Sequence, residues 1–344
     1  MAQQSKKVFL IGPGFIGAEL LEILIDEGYD VTTMVRREEA APDFEKLGAK
    51  VILATLADKD IITQHVVEHP TVIHTATADD LPSVEAVIDG IRKRANSGKS
   101  TIYIHTSGAS LITDNCVGRL KSDQVYDDEK PEEIDALPDS APHRTIDLAI
   151  VKARKELGTK AKMAIMIPPV IYGLGCKGNR LSIQLPTLTR FAIKHGFAGY
   201  VGAGKSMWAL IHVADLARAY ALLLHWLEIE ESDDIYKNPY FFCENGQELS
   251  WAEMAEIIGK ELHRAGKLNS PEPRTIPEDL YVDVMGDWTA AVVGANARNK
   301  ATRLRKLGWK PQAKSAEESL RDDEIPVIAK ETGTFAGYGK AVAS

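Results

Sequence analysis

Cysteine is scarce in this sequence, and its spacing argues against two kinds of site. Among 344 residues only Cys116, Cys176 and Cys243 occur, too few for a disulfide framework and too far apart for the usual zinc-ligand pattern. Long hydrophobic runs are also missing, so no membrane span is expected. Residues 1–7 are too short and polar for a signal peptide, because an apolar strand already begins at Val8. These absences predict a soluble, cytoplasmic protein.

Basic residues are in the minority. The chain has 41 Lys and Arg against 49 Asp and Glu, a formal net charge of −8 at pH 7, which argues against a nucleic-acid partner. The hydrophobic fraction of 44% and the charged fraction of 26% are ordinary for a globular protein with a large core. We therefore expect a small-molecule substrate and neither a nucleic-acid nor a membrane partner. A homodimer is compatible with this composition.

A glycine turn lies between two apolar segments near the start of the chain. Val8 to Ile11 is a short apolar run, Gly12 to Gly17 reads GPGFIG, a helical apolar period follows through Ile25, and Val31 to Val35 is β-branched. This order of strand, turn, helix and strand is the context in which GxGxxG indicates a dinucleotide site.

The residues of this turn have separate expected roles in holding a cofactor. Gly12 permits the turn, Gly14 lets the backbone approach a diphosphate, and Gly17 lets the helix pack against the strand. Phe15 and Ile16 begin the helix, whose N-terminus attracts the diphosphate charge. The alternative is a glycine-rich turn in an ordinary βα unit, which the surrounding pattern makes the weaker interpretation.

Two arginines follow the second strand and bear on the choice of cofactor. An NAD-binding chain places Asp or Glu about 20 residues beyond the turn, where this chain has Arg36 and Arg37. A carboxylate would repel a 2′-phosphate, whereas a guanidinium can donate two parallel hydrogen bonds to it. NADP is therefore favoured over NAD. The alternative is a solvated strand end in which Glu38 and Glu39 pair with the arginines.

Strands and helices alternate through the first half of the chain. Further strands are expected at Lys50–Ala54, Thr71–Thr75, Thr101–Thr106 and Lys162–Ile167, with helices between them. This alternation predicts an α/β fold with a doubly wound parallel sheet of Rossmann type and a smaller C-terminal α/β part. Leu56, in a βα loop, and Thr75, at a strand end, are expected beside the cofactor because ligands bind beyond the carboxyl ends of strands.

Hydroxyl side chains follow the fifth strand, in the sequence Thr106-Ser107-Gly108-Ala109-Ser110. Ser107 is placed where a substrate would lie in a sheet of this kind, although hydroxyls also cap turns. The acidic segment Asp123–Ala141 is expected to be a surface excursion.

The chain is divided into a dinucleotide-binding domain, a substrate-binding part and a tail. Residues 1–175 form the first, completed by about 206–238. Residues 176–205 and 239–328 form the second. Residues 329–344 are small and polar, and we expect a loose tail there.

The order of these parts resembles the extended short-chain dehydrogenases/reductases, the superfamily that includes UDP-galactose epimerase, dihydroflavonol reductases and 3β-hydroxysteroid dehydrogenases. The resemblance covers residues 8 to about 322, and the GPGFIG turn is closer to atypical members than to the usual TGxxGxxG. It is carried by the glycine turn, Thr106-Ser107, Lys152, Pro168-Pro169-Val-Ile-Tyr172-Gly173, Trp208–Asp215 and Leu307–Pro311. It implies a nicotinamide cofactor, with Pro168 beside it.

In that family a Ser or Thr, a Tyr and a Lys carry the chemistry. The Tyr exchanges the proton, and the Lys holds the ribose and lowers the pKa of the Tyr. Ser107 and Lys152 match the first and third members. The Tyr should lie four residues before the Lys, on the same helix face, but that position is Leu148, which cannot transfer a proton. The formal YxxxK at Tyr126–Lys130 lies in the acidic segment and is rejected.

Other side chains could replace the missing tyrosine. Tyr172 follows the sixth strand and is the first candidate, with a structural tyrosine as the alternative. His143 lies near a helix start, and histidine is a common general acid or base, although a surface histidine is an equally good interpretation. Arg144 and Asp147 are three apart on one helix and could be no more than a salt bridge.

Three functions are compatible with this pattern. The leading hypothesis is an NADP-dependent oxidoreductase acting on a carbonyl, alcohol or polarised double bond of a small organic molecule. A sugar epimerase or dehydratase that uses NAD(P) is the second. The third is a catalytically weak regulator that senses NADP, of the type proposed for NmrA-like proteins.

Overall fold

The structure is a computed structural model that describes residues 6–178, 180–231 and 234–338. Its strands are β1 (Lys7–Ile11), β2 (Asp30–Val35), β3 (Lys50–Leu53), β4 (Thr71–His74), β5 (Thr101–Thr106), β6 (Tyr126–Asp127), β7 (Ala161–Ile167), β8 (Val170–Tyr172), β9 (Gly199–Tyr200), β10 (Met207–His212), β11 (Tyr240–Phe242), β12 (Glu248–Ser250), β13 (Arg274–Thr275) and β14 (Asn299–Lys300).

The helices follow the strands in alternation through the first half of the chain. They are α1 (Phe15–Asp26), α2 (Ala41–Glu45), α3 (Lys59–Glu68), α4 (Leu81–Asn96), α5 (Pro131–Asp135), α6 (Arg144–Leu157), α7 (Gln184–His195), α8 (Val213–Ile229), α9 (Asp234–Lys237), α10 (Trp251–Arg264), α11 (Thr289–Val293), α12 (Thr302–Lys306), α13 (Ala316–Ser319) and α14 (Ile325–Ile328), with a π-helical segment at Leu320–Glu324 between the last two.

A seven-stranded parallel sheet in the order β11-β7-β5-β4-β1-β2-β3 forms the centre of the fold. Helix α1 packs against α8, and α4 packs against both α3 and α6. Because helices cover the sheet, its strands are apolar almost throughout: Val8 to Ile11 are fully buried. The predicted Rossmann-type fold with a C-terminal part is confirmed. The strand order reverses between β1 and β4, which places a ligand crevice at their carboxyl ends.

Short strands and α10 build the C-terminal part. Strands β8, β10 and β12 form a small sheet, with β9 paired to β13. Ser250 caps α10 through a capping box with Glu253. The indoles of Trp208 and Trp251 meet edge to face with ring centroids 6.0 Å apart, and Trp208 Nε1 donates to the carbonyl of Ala295 at 2.7 Å. The first contact joins the small sheet to α10, and the second joins it to the segment after α11.

Two predictions about surface segments are corrected. Within Asp123–Ala141, Asp128 and Ile134 are fully buried, and β6 pairs with β14. The described part of the expected loose tail also contacts the rest of the chain. Glu331 pairs with Arg190 at 2.6 Å, and the backbone N–H of Tyr338 donates to the carbonyl of Val284 at 2.8 Å. Residues 339–344 lie outside the described residues.

None of the helices in the described ranges combines the length and the apolar character that crossing a membrane requires.

The buried carboxylate of Asp128 provides a test of the first correction. It accepts hydrogen bonds from the backbone N–H groups of Phe242 and Arg303, both at 3.0 Å. Asp128→Ala leaves two donors without their acceptor and should lower the free energy of unfolding by about 2 kcal/mol or more. In urea titrations the exposed neighbour Asp123→Ala should stay within about 0.5 kcal/mol of the parent. Equal effects of the two substitutions would refute the anchoring role.

Candidate functional site

The glycine turn between β1 and α1 packs tightly against the segment after β4 through two of its glycines, while its third glycine faces open space. A Cβ on Gly12, whose φ is +94°, would lie 2.5 Å from the backbone nitrogen of Ala76, and a Cβ on Gly17 would lie 2.6 Å from Thr75 Oγ1. A Cβ on Gly14 would meet no atom of the described residues within 4 Å. The turn is therefore pinned to the end of β4 while its middle glycine faces open space, as a diphosphate requires.

The first turn of α1 has backbone donors available for an anion. Gly14 is the N-cap residue, with no side-chain cap and no acidic residue in the first turn. The first N–H groups of a helix have no partner inside the helix and carry partial positive charge. The residues of the turn thus fit the diphosphate of a dinucleotide.

Three other predicted cofactor residues lie near the carboxyl edge of the sheet. Thr75 closes the turn, since its Oγ1 donates to the carbonyl of Gly12 at 2.7 Å. Pro168 is buried after β7, and its carbonyl accepts the N–H of Ala109 at 2.9 Å. Leu56 is half-buried and packs against the core. Their contacts with a cofactor remain predictions.

Arginines follow β2, the strand paired with β1, and a further arginine lies in the loop after β8. Arg36 and Arg37 are exposed at the end of β2, and no ion pair joins either one to Glu38 or Glu39 in the part of the chain that the structure describes. Arg180 reaches the turn, because its guanidinium donates to the carbonyl of Pro13 at 2.6 Å. Burial, followed by the charge of Arg37, lowers the pKa of Arg180.

Sequence reasoning missed Arg180. It belongs to the loop after β8, which lies along α1. Gly175 packs beside Phe15, the N–H of Cys176 donates to the carboxylate of Glu19, and Lys177 pairs with Glu22 at 3.4 Å. The glycine content of this loop was visible in the sequence, but nothing there indicated which helix it would cover.

Ser107 meets a buried carboxyl group at the end of β5. Its Oγ donates to Asp147 Oδ2 at 2.9 Å, and both residues are buried. Burial raises the pKa of Asp147 to about 7, and the hydrogen bond from Ser107 opposes that rise. The other oxygen, Oδ1, is buried without a hydrogen-bond partner among the described residues. This carboxyl group can therefore gain or lose a proton near neutral pH.

His143 lies beside the same loop. Its backbone is left-handed, with φ 65°, and it immediately precedes α6. Its Nδ1 is 2.6 Å from Asp79 Oδ1, and its Nε2 would lie 3.1 Å from a Cβ on Gly108. The hydrogen bond from His143 lowers the pKa of Asp79. Sequence reasoning named His143 but missed Asp79, which is 64 residues away in the chain.

Two of the predicted catalytic residues are corrected. Lys152 is exposed, since it lies five residues beyond Asp147 and hence about 140° further round the helix. The side chain of α6 that contacts Ser107 is Asp147, and the replacement of the usual tyrosine by Leu148 stays a prediction. Tyr172 is fully buried. Its hydroxyl donates to the carbonyl of Lys314 at 2.8 Å and accepts from Asn245 at 2.9 Å, and burial raises the pKa of Tyr172. It is a structural tyrosine.

A cluster with metal-ligand character lies at the opposite edge of the sheet. His65, Glu68 and His69 have ligand atoms within 4.8 Å of one another. Both ring nitrogens of His69 already have hydrogen-bond partners, and Lys7 and Lys50 line the same cavity. Two nearby ammonium groups disfavour a cation there, and the cluster takes no part in the site described above.

Known proteins share this arrangement of elements. The family model described as the NAD dependent epimerase/dehydratase family matches residues 8–237. The chain is 27% identical over 328 residues to oxidase ucsJ of Acremonium sp, covering 89% of this chain and 93% of that protein.

Two solved structures have a similar fold. UDP-glucose 4-epimerase of Thermotoga maritima, solved with UDP-glucose, has a TM-score of 0.64 and 15% identity, with 94% of this chain and 99% of that one covered. DesIV of Streptomyces venezuelae, a dTDP-glucose 4,6-dehydratase solved as a double mutant with NAD bound, has a TM-score of 0.65 and 14% identity, with 94% and 97% covered. At such low identity the likeness establishes the fold.

The glycine turn predicts that stability and binding can be separated. Gly17→Ala places a methyl group against backbone and Thr75 and should cost about 2 to 3 kcal/mol of unfolding free energy. Gly14→Ala should cost at most about 1 kcal/mol, the scale of an N-cap change, yet should weaken NADPH binding at least tenfold because the methyl fills the open space. Calorimetry and urea unfolding measure both quantities. Unchanged affinity in Gly14→Ala would contradict the assignment.

The buried carboxyl group of Asp147 predicts a dependence of stability on pH. A carboxyl whose pKa is raised in the folded state favours folding at low pH, and this contribution is lost as the pH rises through about 7. The parent should therefore lose about 1.4 kcal/mol per pH unit from this group between about pH 5 and pH 7, and Asp147→Asn should lack that part of the slope. Exposed Asp139→Asn is the control. Parallel pH–stability curves for the parent and Asp147→Asn would overturn the prediction.

Proposed function

The chain belongs to the NAD dependent epimerase/dehydratase family, and from that premise we propose that it is an NADP-dependent oxidoreductase. It reduces a carbonyl group or a polarised double bond of a small organic molecule, or oxidises the corresponding alcohol. One observation supports this proposal above the others: an open glycine turn at a helix N-terminus is contacted by Arg180, and Arg36 and Arg37 follow the neighbouring strand β2.

The charges support NADP over NAD. Arg36 and Arg37 stand where a carboxylate would bind the ribose hydroxyls of NAD, and they are unpaired with the adjacent glutamates among the described residues. A 2′-phosphate would bring two negative charges to this place, and guanidinium groups bind phosphate through paired hydrogen bonds. The half-buried Arg180 adds a further cation on the side of Pro13.

Each part of the site has a defined task in such an enzyme. Bound NADPH would supply the hydride for the substrate carbon. The turn at Gly14 and the first N–H groups of α1 hold the diphosphate. Ser107 and Asp147, at the end of β5, lie on the side where ligands of doubly wound sheets bind. The substrate oxygen is placed beside Ser107, whose hydroxyl donates to the buried carboxyl group of Asp147, which has a pKa of about 7.

An oxidoreductase is favoured over the two other hypotheses. The curated relative at 27% identity is named as an oxidase and spans most of both chains, whereas the epimerase and dehydratase likenesses are of fold. A regulator that only senses NADP would need no proton-transfer groups, but titratable side chains surround Ser107.

Cofactor preference provides the direct test. The parent should bind NADPH at least tenfold more tightly than NADH. Arg37→Gln should weaken NADPH binding about tenfold to hundredfold, because a hydrogen bond to a charged group contributes about 1.5 to 3 kcal/mol, and should leave NADH binding unchanged.

Arg92→Gln is the matched control for this experiment, because Arg92 is paired with Glu156 and Asp89 on the outer side of α4. Dissociation constants from fluorescence titration would decide the question. Tighter binding of NADH than of NADPH by the parent would defeat the NADP assignment.

A further inference from the structure

We propose that His143, oriented by Asp79, is the acid–base group of this site. It supplies the proton that a tyrosine supplies in the extended short-chain dehydrogenases/reductases. The inference deepens the proposed oxidoreductase function and rests on it. It assigns a catalytic role to His143 and a positioning role to Asp79.

His143 and Ser107 lie beside the same loop, the one that follows β5. Asp147 Oδ2 accepts the hydrogen bond from Ser107 Oγ at 2.9 Å, and His143 precedes Asp147 by four residues at the start of the same helix. The Nε2 atom of His143 approaches Gly108, the residue that follows Ser107. A substrate oxygen placed over this loop would therefore have a serine hydroxyl and an imidazole nitrogen on the same side.

The contact with Asp79 determines which nitrogen can exchange a proton. Nδ1–H donates to the Asp79 carboxylate at 2.6 Å, so the exchangeable proton is carried by Nε2, which faces the loop after β5. A carboxylate on one ring nitrogen that fixes the tautomer and orientation is the usual arrangement for a catalytic histidine. The His143 side chain is 16% exposed while that of Asp79 is 69% exposed, so the ring is sheltered and its partner stays hydrated.

The backbone supports a functional rather than a structural histidine. A non-glycine residue with φ 65° stores on the order of 1 kcal/mol of strain. Residues held in sparsely populated backbone regions cluster at active sites, and histidine is one of the few non-glycine residues that the left-handed region accommodates. Gly108 is complementary: a side chain at that position would begin 3.1 Å from the imidazole, and its absence leaves room beside Nε2 for a ligand atom.

Several charged or titratable groups lie around His143 and Asp79, and each contributes to the pH dependence of the reaction rate. They come from every element around the ring: Asp79 after β4, His105 in β5, Arg144 and Asp147 in α6, and Tyr338 in the C-terminal segment, whose pKa is raised by burial and by the charge of Asp79. Burial keeps the pKa of His105 well below its usual value, so that ring stays neutral.

The step conserves atoms and electrons. Bound NADPH would supply the hydride for the new C–H bond at the substrate carbonyl carbon and would be left as NADP⁺, while the π electron pair of the carbonyl would move to its oxygen. The oxygen takes the proton from Nε2 of the His143 imidazolium. The ring that remains is neutral, and its Nδ1–H stays hydrogen-bonded to Asp79. Solvent water then reprotonates Nε2. In alcohol oxidation the same ring accepts the proton.

The test compares His143→Gln with His225→Gln. His225 is the matched control because it also pairs with a carboxylate, that of Glu27 at 2.8 Å, but on the exposed side of α8. The probes are NADPH with phenanthrenequinone and a panel of simple aldehydes and ketones. We expect His143→Gln to lower kcat at least a hundredfold while the dissociation constant for NADPH and the KM for the carbonyl change less than threefold. The decline of the reduction rate with rising pH should disappear in this variant.

Two further variants separate catalysis from folding. His143→Gly suits the left-handed backbone, so it should fold at least as well as the parent, lose activity, and regain at least tenfold in rate with added imidazole. Asp79→Asn keeps an acceptor for Nδ1–H but removes the charge, and it should lower kcat about tenfold and alter the pH profile.

The outcomes distinguish failure of the acid–base role of His143 from failure of the oxidoreductase function. If the parent turns over a probe and His143→Gln retains kcat within threefold of His225→Gln, the acid–base role is wrong and the oxidoreductase function stands. If the parent binds NADPH but oxidises it with no carbonyl of the panel, the proposed function fails, and the inference fails with it.

Discussion

Everything in the site depends on the close contact between the turn after β1 and the end of β4. Gly12 and Gly17 leave no room for a side chain against Ala76 and Thr75, and the Thr75 hydroxyl holds the Gly12 carbonyl. This contact sets the direction of α1, and so directs its free N–H groups into the crevice where the strand order reverses. Gly14 then faces open space because its neighbours are held away from it.

The chemical part of the site is assembled from side chains that are far apart in the chain. Asp79 follows β4, Ser107 follows β5, and His143 and Asp147 lie at the start of α6. Two acid–base pairs result, Ser107 with buried Asp147 and His143 with exposed Asp79, and their burial differs sharply. The loop after β5 thus lies between a buried carboxyl group with a pKa of about 7 and an imidazole ring that is hydrogen-bonded to a carboxylate, the ring to which we assign the proton transfer.

Local patterns in the sequence predicted the fold, the glycine turn and the family, which the structure and the family match confirm. Contacts between distant segments were not predictable in the same way. Arg180 and Asp79 were missed because their partners, Pro13 and His143, lie 167 and 64 residues away in the chain, and no local pattern indicates such contacts. Tyr172 was chosen from its motif position, but burial gives its hydroxyl structural partners. Lys152 was placed by resemblance, and the helix turns it toward solvent.

The most direct measurement is a crystal structure of the protein with NADP⁺ bound. The account predicts the diphosphate within hydrogen-bond distance of the backbone N–H groups at the start of α1, the 2′-phosphate beside Arg37, and the nicotinamide next to Ser107 and His143. A dinucleotide bound elsewhere, or bound at the turn with its nicotinamide away from both side chains, would contradict it.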